Sequence, residues 1–197
     1  MGKEWKGRYT DYCLIISSTH ILCSHREFWT VTEFSCSGTA QLLADGSQYE
    51  VESMLKGHGV TLYKLKSRIE ANSRAEPITV VSSKPQPGTE VTLVSLLLGE
   101  GDSSNRKVLI QTENVTLIPP DKCNIEFSMG LSECSSHLWI KQSYDRRYTY
   151  RPSFLLVQGK LAGMLSGGAD FFLNGDRTKG FVNVARMNGS IEYPRDD

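Results

Sequence analysis

Three observations on the 197-residue sequence predict an all-β fold of sandwich or barrel type. Short β-branched runs recur along the chain, clusters of turn-forming residues separate them, and no long stretch carries the apolar spacing of a helix. A chain this rich in strands is best served by antiparallel closure, which removes exposed sheet edges.

The strand-like runs follow in order. Tyr12 to Ser17 comes first, then Val60 to Lys66, Ile78 to Ser82, Glu90 to Leu98 and Val108 to Ile118. Phe154 to Gln158, Leu161 to Leu165 and Gly180 to Ala185 complete the series. Each is rich in Val, Ile, Leu or Thr, which fit a pleated, half-buried surface. Turn chemistry lies between them at Asp45-Gly46-Ser47, Pro87-Gly88, Gly99 to Ser104 and Asn174-Gly175-Asp176. A polar, proline-punctuated stretch from about Ala71 to Gly88 reads as the seam between two halves. The expected organisation is one domain over 1–197, with a first half at 1–75, a connecting segment at 76–88 and a second half at 89–197. No internal repeat or low-complexity segment interrupts it.

Composition narrows the function classes. Hydrophobic residues make up 39% of the chain, enough for a real core at this length. The 22 basic and 22 acidic side chains cancel, so no global field draws the chain to nucleic acid or anionic lipid. No apolar run approaches the roughly 20 residues of a spanning helix. The opening MGKEWKGRYTDY has no apolar core and does not read as a signal peptide. Five cysteines, Cys13, Cys23, Cys36, Cys123 and Cys134, leave at least one unpaired within the chain. That count fits a reducing compartment, hence a cytoplasmic or nuclear location, with Cys123–Cys134 the one local bridge singled out.

Several stretches, in order, resemble the trypsin-like serine proteases. Ile15-Ile-Ser-Ser-Thr-His-Ile-Leu22 resembles the approach to the histidine motif of that family, LISxxHVLTAAHC. Val60-Thr-Leu-Tyr-Lys-Leu65 resembles the strand carrying DIALLKL, and Pro87-Gly-Thr-Glu-Val-Thr-Leu93 resembles the opening of the second barrel. Val115 to Cys123 follows it, Phe154 to Gly168 resembles PLVxNGxLVGIVSWG, and Lys179 to Arg186 resembles PGVYTNVxR. Coverage runs from about residue 9 to 193. The resemblance implies a chymotrypsin-like fold of two packed six-stranded antiparallel β-barrels with a cleft between them.

The same resemblance assigns the catalytic positions, and they are substituted. An acyl-transfer triad needs a nucleophile, a base within hydrogen-bond reach and a carboxylate that orients the base. Without a gap the histidine position falls on Arg26, and a one-residue slip would place it on His25. The aspartate position falls on Gly59 and the serine position on Arg151. Arginine stays protonated and can serve neither as base nor as acyl nucleophile. The glycine-rich turn that forms the oxyanion hole is replaced by Thr149-Tyr150-Arg151-Pro152-Ser153. Two bulky residues and a proline without an N–H spoil that turn. Ser153 is the remaining candidate for a shifted nucleophile. The family's activation aspartate maps to Tyr150. Its bridges map to Val91 with Val157 and to about Asp11 with Glu27, each pair lost together. The expectation is a protein that is not an enzyme and holds no cofactor or metal.

Other signals have simpler readings. Ser143 to Arg151 is basic and aromatic, and Arg146, Arg147, Tyr148, Tyr150 and Arg151 are its candidate binding residues. Asp145 aligns loosely with the family's specificity aspartate but sits beside Arg146 and Arg147, where a local ion pair is expected. His20, Cys23 and His25 are close in sequence, yet strand alternation keeps three such side chains from converging on a metal. Asn114-Val-Thr and Asn188-Gly-Ser are sequons that matter only in a secreted chain. Trp5, Trp29 and Trp139 are read as core or interface fillers. The leading expectation is an intracellular interaction or scaffold module with a protein partner, with dimerisation as one form of partnership and no membrane contact. A secreted inactive homologue regulating a protease cascade and a nucleic-acid-binding module using the Tyr/Arg loop are the alternatives.

Overall fold

In the computed structural model the described residues are 13–24, 39–41, 48–57, 60–70, 76–98, 108–119, 137–141, 153–165, 171–173 and 176–185. They form twelve strands. The first five are β1 (Cys13–Ser17), β2 (His20–Ser24), β3 (Thr39–Gln41), β4 (Gln48–Gly57) and β5 (Val60–Leu65). The rest are β6 (Glu90–Leu98), β7 (Val108–Ile118), β8 (His137–Lys141), β9 (Ser153–Val157), β10 (Lys160–Leu165), β11 (Phe171–Leu173) and β12 (Asp176–Asn183).

The strands divide into two sheets. The N-terminal sheet has the order β1-β2-β5-β4-β3. The C-terminal sheet runs β10-β9-β6-β7-β8-β12-β11, and a further β10–β12 pairing closes six of its strands into a barrel. A closed six-stranded barrel and a second sheet, with five described strands, thus make up the two halves expected from the sequence.

Two turns show why the chain reverses where it does. Gln158 and Gly159, with φ of 50° and 79°, join β9 to β10. Two residues of positive φ match the twist of a tight hairpin, and glycine accepts that conformation at no steric cost. Before β6, the Thr89 N–H donates to the Gln86 carbonyl across Pro87 and Gly88, where φ is 87°. Proline then glycine at the two central positions is the chemistry of a type II turn.

Of the expected strands, Ile78 to Ser82 departs furthest from expectation. Among the described residues it makes only an isolated parallel bridge, Val80 with Leu161. The Ile78 N–H donates to the Ile15 carbonyl, whereas the Val81 N–H donates to Leu161 and the Leu161 N–H to Thr79. The segment thus passes from one sheet to the other within four residues and cannot pair at length with either. β12 begins at Asp176, ahead of the expected Gly180, because Asp176 and Arg177 pair with Leu173 and Phe172 of β11, and Thr178 and Lys179 with Lys141 and Ile140 of β8.

Three apolar clusters hold the fold. One lies between the halves and joins Ile16, Leu22, Val60 and Leu62 to Leu161, Met164, Val182 and Val184. A second fills the closed barrel with Val91, Leu117, Leu138, Ile140, Leu155 and Phe181. The third, Ile21, Cys23, Leu65 and Ile69, belongs to the N-terminal sheet. Leu22, Leu155 and Leu161 are fully buried, each contributing about 1.5–3 kcal/mol by leaving water.

Candidate functional site

The place where a catalytic cleft would stand is framed by the cluster between the halves. β2 and β5 are antiparallel from His20↔Lys64 to Ser24↔Val60. Their ladder therefore ends just before position 25 on one strand and just after position 59 on the other. Leu22 and Val60 pack in the same cluster as Phe154, the second residue of β9. The strands that adjoin the three positions assigned by the resemblance thus each contribute a side chain to one core. His25, Arg26, Gly59 and Arg151 lie outside the described residues, as do Arg146, Arg147, Tyr148 and Tyr150 of the Tyr/Arg loop.

Ser153 is described, and its position explains little as a nucleophile. It opens β9, is 4% exposed, and lies opposite Ser95 of β6. The two hydroxyls are hydrogen-bonded at 3.0 Å. A nucleophilic serine needs an open Oγ with a base in reach and an oxyanion site beside it. This one is a buried, cross-strand hydroxyl in a regular ladder.

The valines at the mapped bridge positions are brought together. The β6–β9 ladder runs from Ser95↔Ser153 to Thr92↔Leu156, and Val91 and Val157 are the next residue on each strand. Val91 is buried and Val157 packs on the same cluster. Apolar packing surrounds the positions where the family it resembles has a covalent link.

A different covalent link is present, at a pair the sequence reading did not single out. Cys13 and Cys23 are register partners in the β1–β2 hairpin and form a disulfide. The turn is Ser18-Thr19, closed by Ser17↔His20, and the irregularity between Ile15 and Ser17 shifts the register by one so that Cys13 comes opposite Cys23. The bond also removes Cys23 from any ligand set with His20 and His25. Cys123 and Cys134 lie outside the described residues.

His20 sits at the start of β2 and is buried. Its Nδ1 lies 3.0 Å from both the Ser17 and Thr19 hydroxyls, and the Thr19 N–H donates to Ser17 Oγ. Burial holds its pKa below the ordinary imidazole value; Lys64 pushes the same way and Glu52 opposes. Lys64 and Glu52 form an ion pair at 3.0 Å. This group of residues braces the hairpin that leads to the histidine position.

Trp139 is 1% exposed on β8. Its ring covers Gly180, its cross-strand partner on β12, so closely that an added Cβ would lie 2.9 Å from Cζ3. The tryptophan is a core filler, as one of the sequence readings expected; Trp5 and Trp29 lie outside the described residues.

Comparison with solved structures places this architecture. Kallikrein-related peptidase 10 superposes with a TM-score of 0.63 at 13% identity, covering 91% of this chain and 86% of that one. Neuropsin, a serine protease of mouse brain, gives 0.64 at 12%, covering 93% and 88%. The scabies mite inactivated protease paralogue S-D1 gives 0.56 at 12%, covering 91% and 84%. No protein-family profile matches the sequence. No curated protein matches it either. The fold is therefore the chymotrypsin-like double barrel shared by trypsin-like serine proteases.

Proposed function

We propose that this chain is a non-catalytic trypsin-like domain that works as a protein-interaction or scaffold module inside the cell. The observation that carries the reading is the substitution of the serine and aspartate positions by Arg151 and Gly59. An arginine cannot supply an acyl nucleophile, and a glycine cannot orient a base. Two further points support it. Ser153, the candidate for a shifted nucleophile, is buried against Ser95. One structural neighbour is by name an inactivated protease paralogue, so the fold accommodates that fate. A rigid double barrel offers well-anchored loops, and the Tyr/Arg loop at 143–151 has the residue types that anchor interfaces.

The test is hydrolysis of a broad peptide library by the purified chain, with trypsin as positive control. No cleavage above buffer is expected, and turnover that disappears in Ser153→Ala would end the proposal. For the partner, capture from native tissue with and without Arg146→Ala/Arg147→Ala/Arg151→Ala should identify a protein whose recovery depends on those arginines.

A second reading, a secreted inactive homologue regulating a protease cascade, is favoured by the Cys13–Cys23 bond, since disulfides persist in oxidising compartments. The exposed Asn114 of a sequon on β7 would then be available for glycosylation. Thiol counting on denatured protein from its native source separates the two. Intracellular protein should show most of its five cysteines as thiols and no glycan at Asn114.

A further inference from the structure

We infer that Cys13 and Cys23 are a reversible thiol–disulfide exchange site, with Cys13 the sulfur through which exchange with small thiols proceeds. The inference is independent of whether the chain cleaves peptides.

Cys13 and Cys23 are opposed in the β1–β2 pairing, flanked by Leu14↔Leu22 and Ile15↔Ile21. Strand pairing, continued from β2 into β5, keeps their backbones adjacent without any help from sulfur. The two thiols are therefore held at high effective concentration in the reduced state, and closure requires no rearrangement of the sheet. Opening the bond likewise leaves the hairpin in register.

The two residues differ in access. Cys13 is exposed at the outer end of β1, whereas Cys23 is 2% exposed and packed with Ile21, Leu65 and Ile69. A reduced Cys23 is at home there, because a buried thiol behaves as a small hydrophobe. Buried apolar surroundings also suppress its thiolate, so exchange with a molecule from solvent must begin at Cys13.

The chemistry balances with a low-molecular-weight disulfide, such as oxidised glutathione, as the two-electron oxidant. The Cys13 thiolate attacks one sulfur of the small disulfide, forming a mixed disulfide and releasing one small thiolate. The Cys23 thiol loses its proton to water and attacks Cys13 Sγ, forming the Cys13–Cys23 bond and releasing a second small thiolate. Two protein thiols are oxidised and one small disulfide is reduced to two thiols. The reverse sequence, driven by excess small thiol, passes through the same mixed disulfide at Cys13.

The test is performed on the whole folded chain in buffers of reduced and oxidised glutathione. Samples are quenched with acid, alkylated and mapped by peptide mass spectrometry, which separates Cys13 and Cys23 from the other three cysteines. Cys13 and Cys23 should gain and lose their bond together across the series, with any trapped glutathione adduct of the pair at Cys13. In single variants, Cys13 in Cys23→Ser should be glutathionylated at least about tenfold faster than Cys23 in Cys13→Ser, following the exposure difference. Equal or reversed rates would overturn the inference. So would a native bond that reduced glutathione opens only after denaturant is added, a result that needs no variant to fold.

Discussion

Replacing Gly180 by alanine tests the packing of the closed barrel at one atom. The new Cβ would lie 2.9 Å from Cζ3 and 3.0 Å from Cη2 of Trp139. Both are atoms of a rigid ring that is 1% exposed and set on the neighbouring strand. Relief requires the ring or the β8–β12 ladder to shift by several tenths of an ångström, and overpacking of this kind costs about 1–3 kcal/mol. Alanine also restricts the unfolded chain, which returns about 0.4–1 kcal/mol. The net expectation is a loss of about 1–2 kcal/mol, or a fall in Tm of about 3–6 °C for a domain of this size. Urea unfolding followed by circular dichroism measures it. Trp139→Phe removes the outer ring that the methyl would meet, so the cost of Gly180→Ala should shrink by at least about 0.5 kcal/mol in that background. A Gly180→Ala variant as stable as the parent, or a cost unchanged beside Phe, would refute the packing argument.

The remaining predictions concern register, a histidine and a hydroxyl pair. Val91→Cys with Val157→Cys should form a bond on oxidation and raise stability by about 4 kcal/mol in the chain-entropy account, because it closes a long loop; mass spectrometry under denaturing conditions checks the bond. His20 has a folded pKa below its unfolded value of about 6.5. The unfolded state then binds the proton first, so this group's contribution is complete above pH 6.5 and lost as pH falls through the folded value. Chemical denaturation from pH 7.5 to 5 should show that decline, and His20→Gln should flatten it. Ser153→Ala should cost about 1 kcal/mol by leaving Ser95 without its partner, whereas Ser95→Ala/Ser153→Ala should cost less.

Much of the fold was legible because its longest strands are continuous β-branched runs. Glu90 to Leu98 and Val108 to Ile118 were read with the bounds the structure gives them. Residues 48–57 were not read as a strand, because Gln, Glu, Ser and Lys interrupt the apolar pattern. β4 has an outward face where Glu52 meets Lys64 of β5 and Glu50 meets Lys66, one residue past its end. β8, five residues long and opening on a histidine, carried too short a pattern, although four of its five residues are buried. Ile78 to Ser82 misled in the other direction: its composition suits a strand, but its hydrogen bonds are shared between two sheets. The Cys13–Cys23 bond depends on the register of a hairpin, which residue types alone do not fix. At the candidate site the positions that motif order singles out lie outside the described residues, while the burial of Ser153 required the β6–β9 ladder.

Intact-mass measurement after incubation with a serine-directed fluorophosphonate tests the central claim most directly. It reports a competent nucleophile without assuming any substrate. With Ser153 hydrogen-bonded to Ser95, and with Gly59 and Arg151 where the proposed reading sets the aspartate and serine positions, the mass should stay unchanged while trypsin labels fully alongside. A stoichiometric adduct on the native chain, lost on denaturation or in Ser153→Ala, would contradict the account.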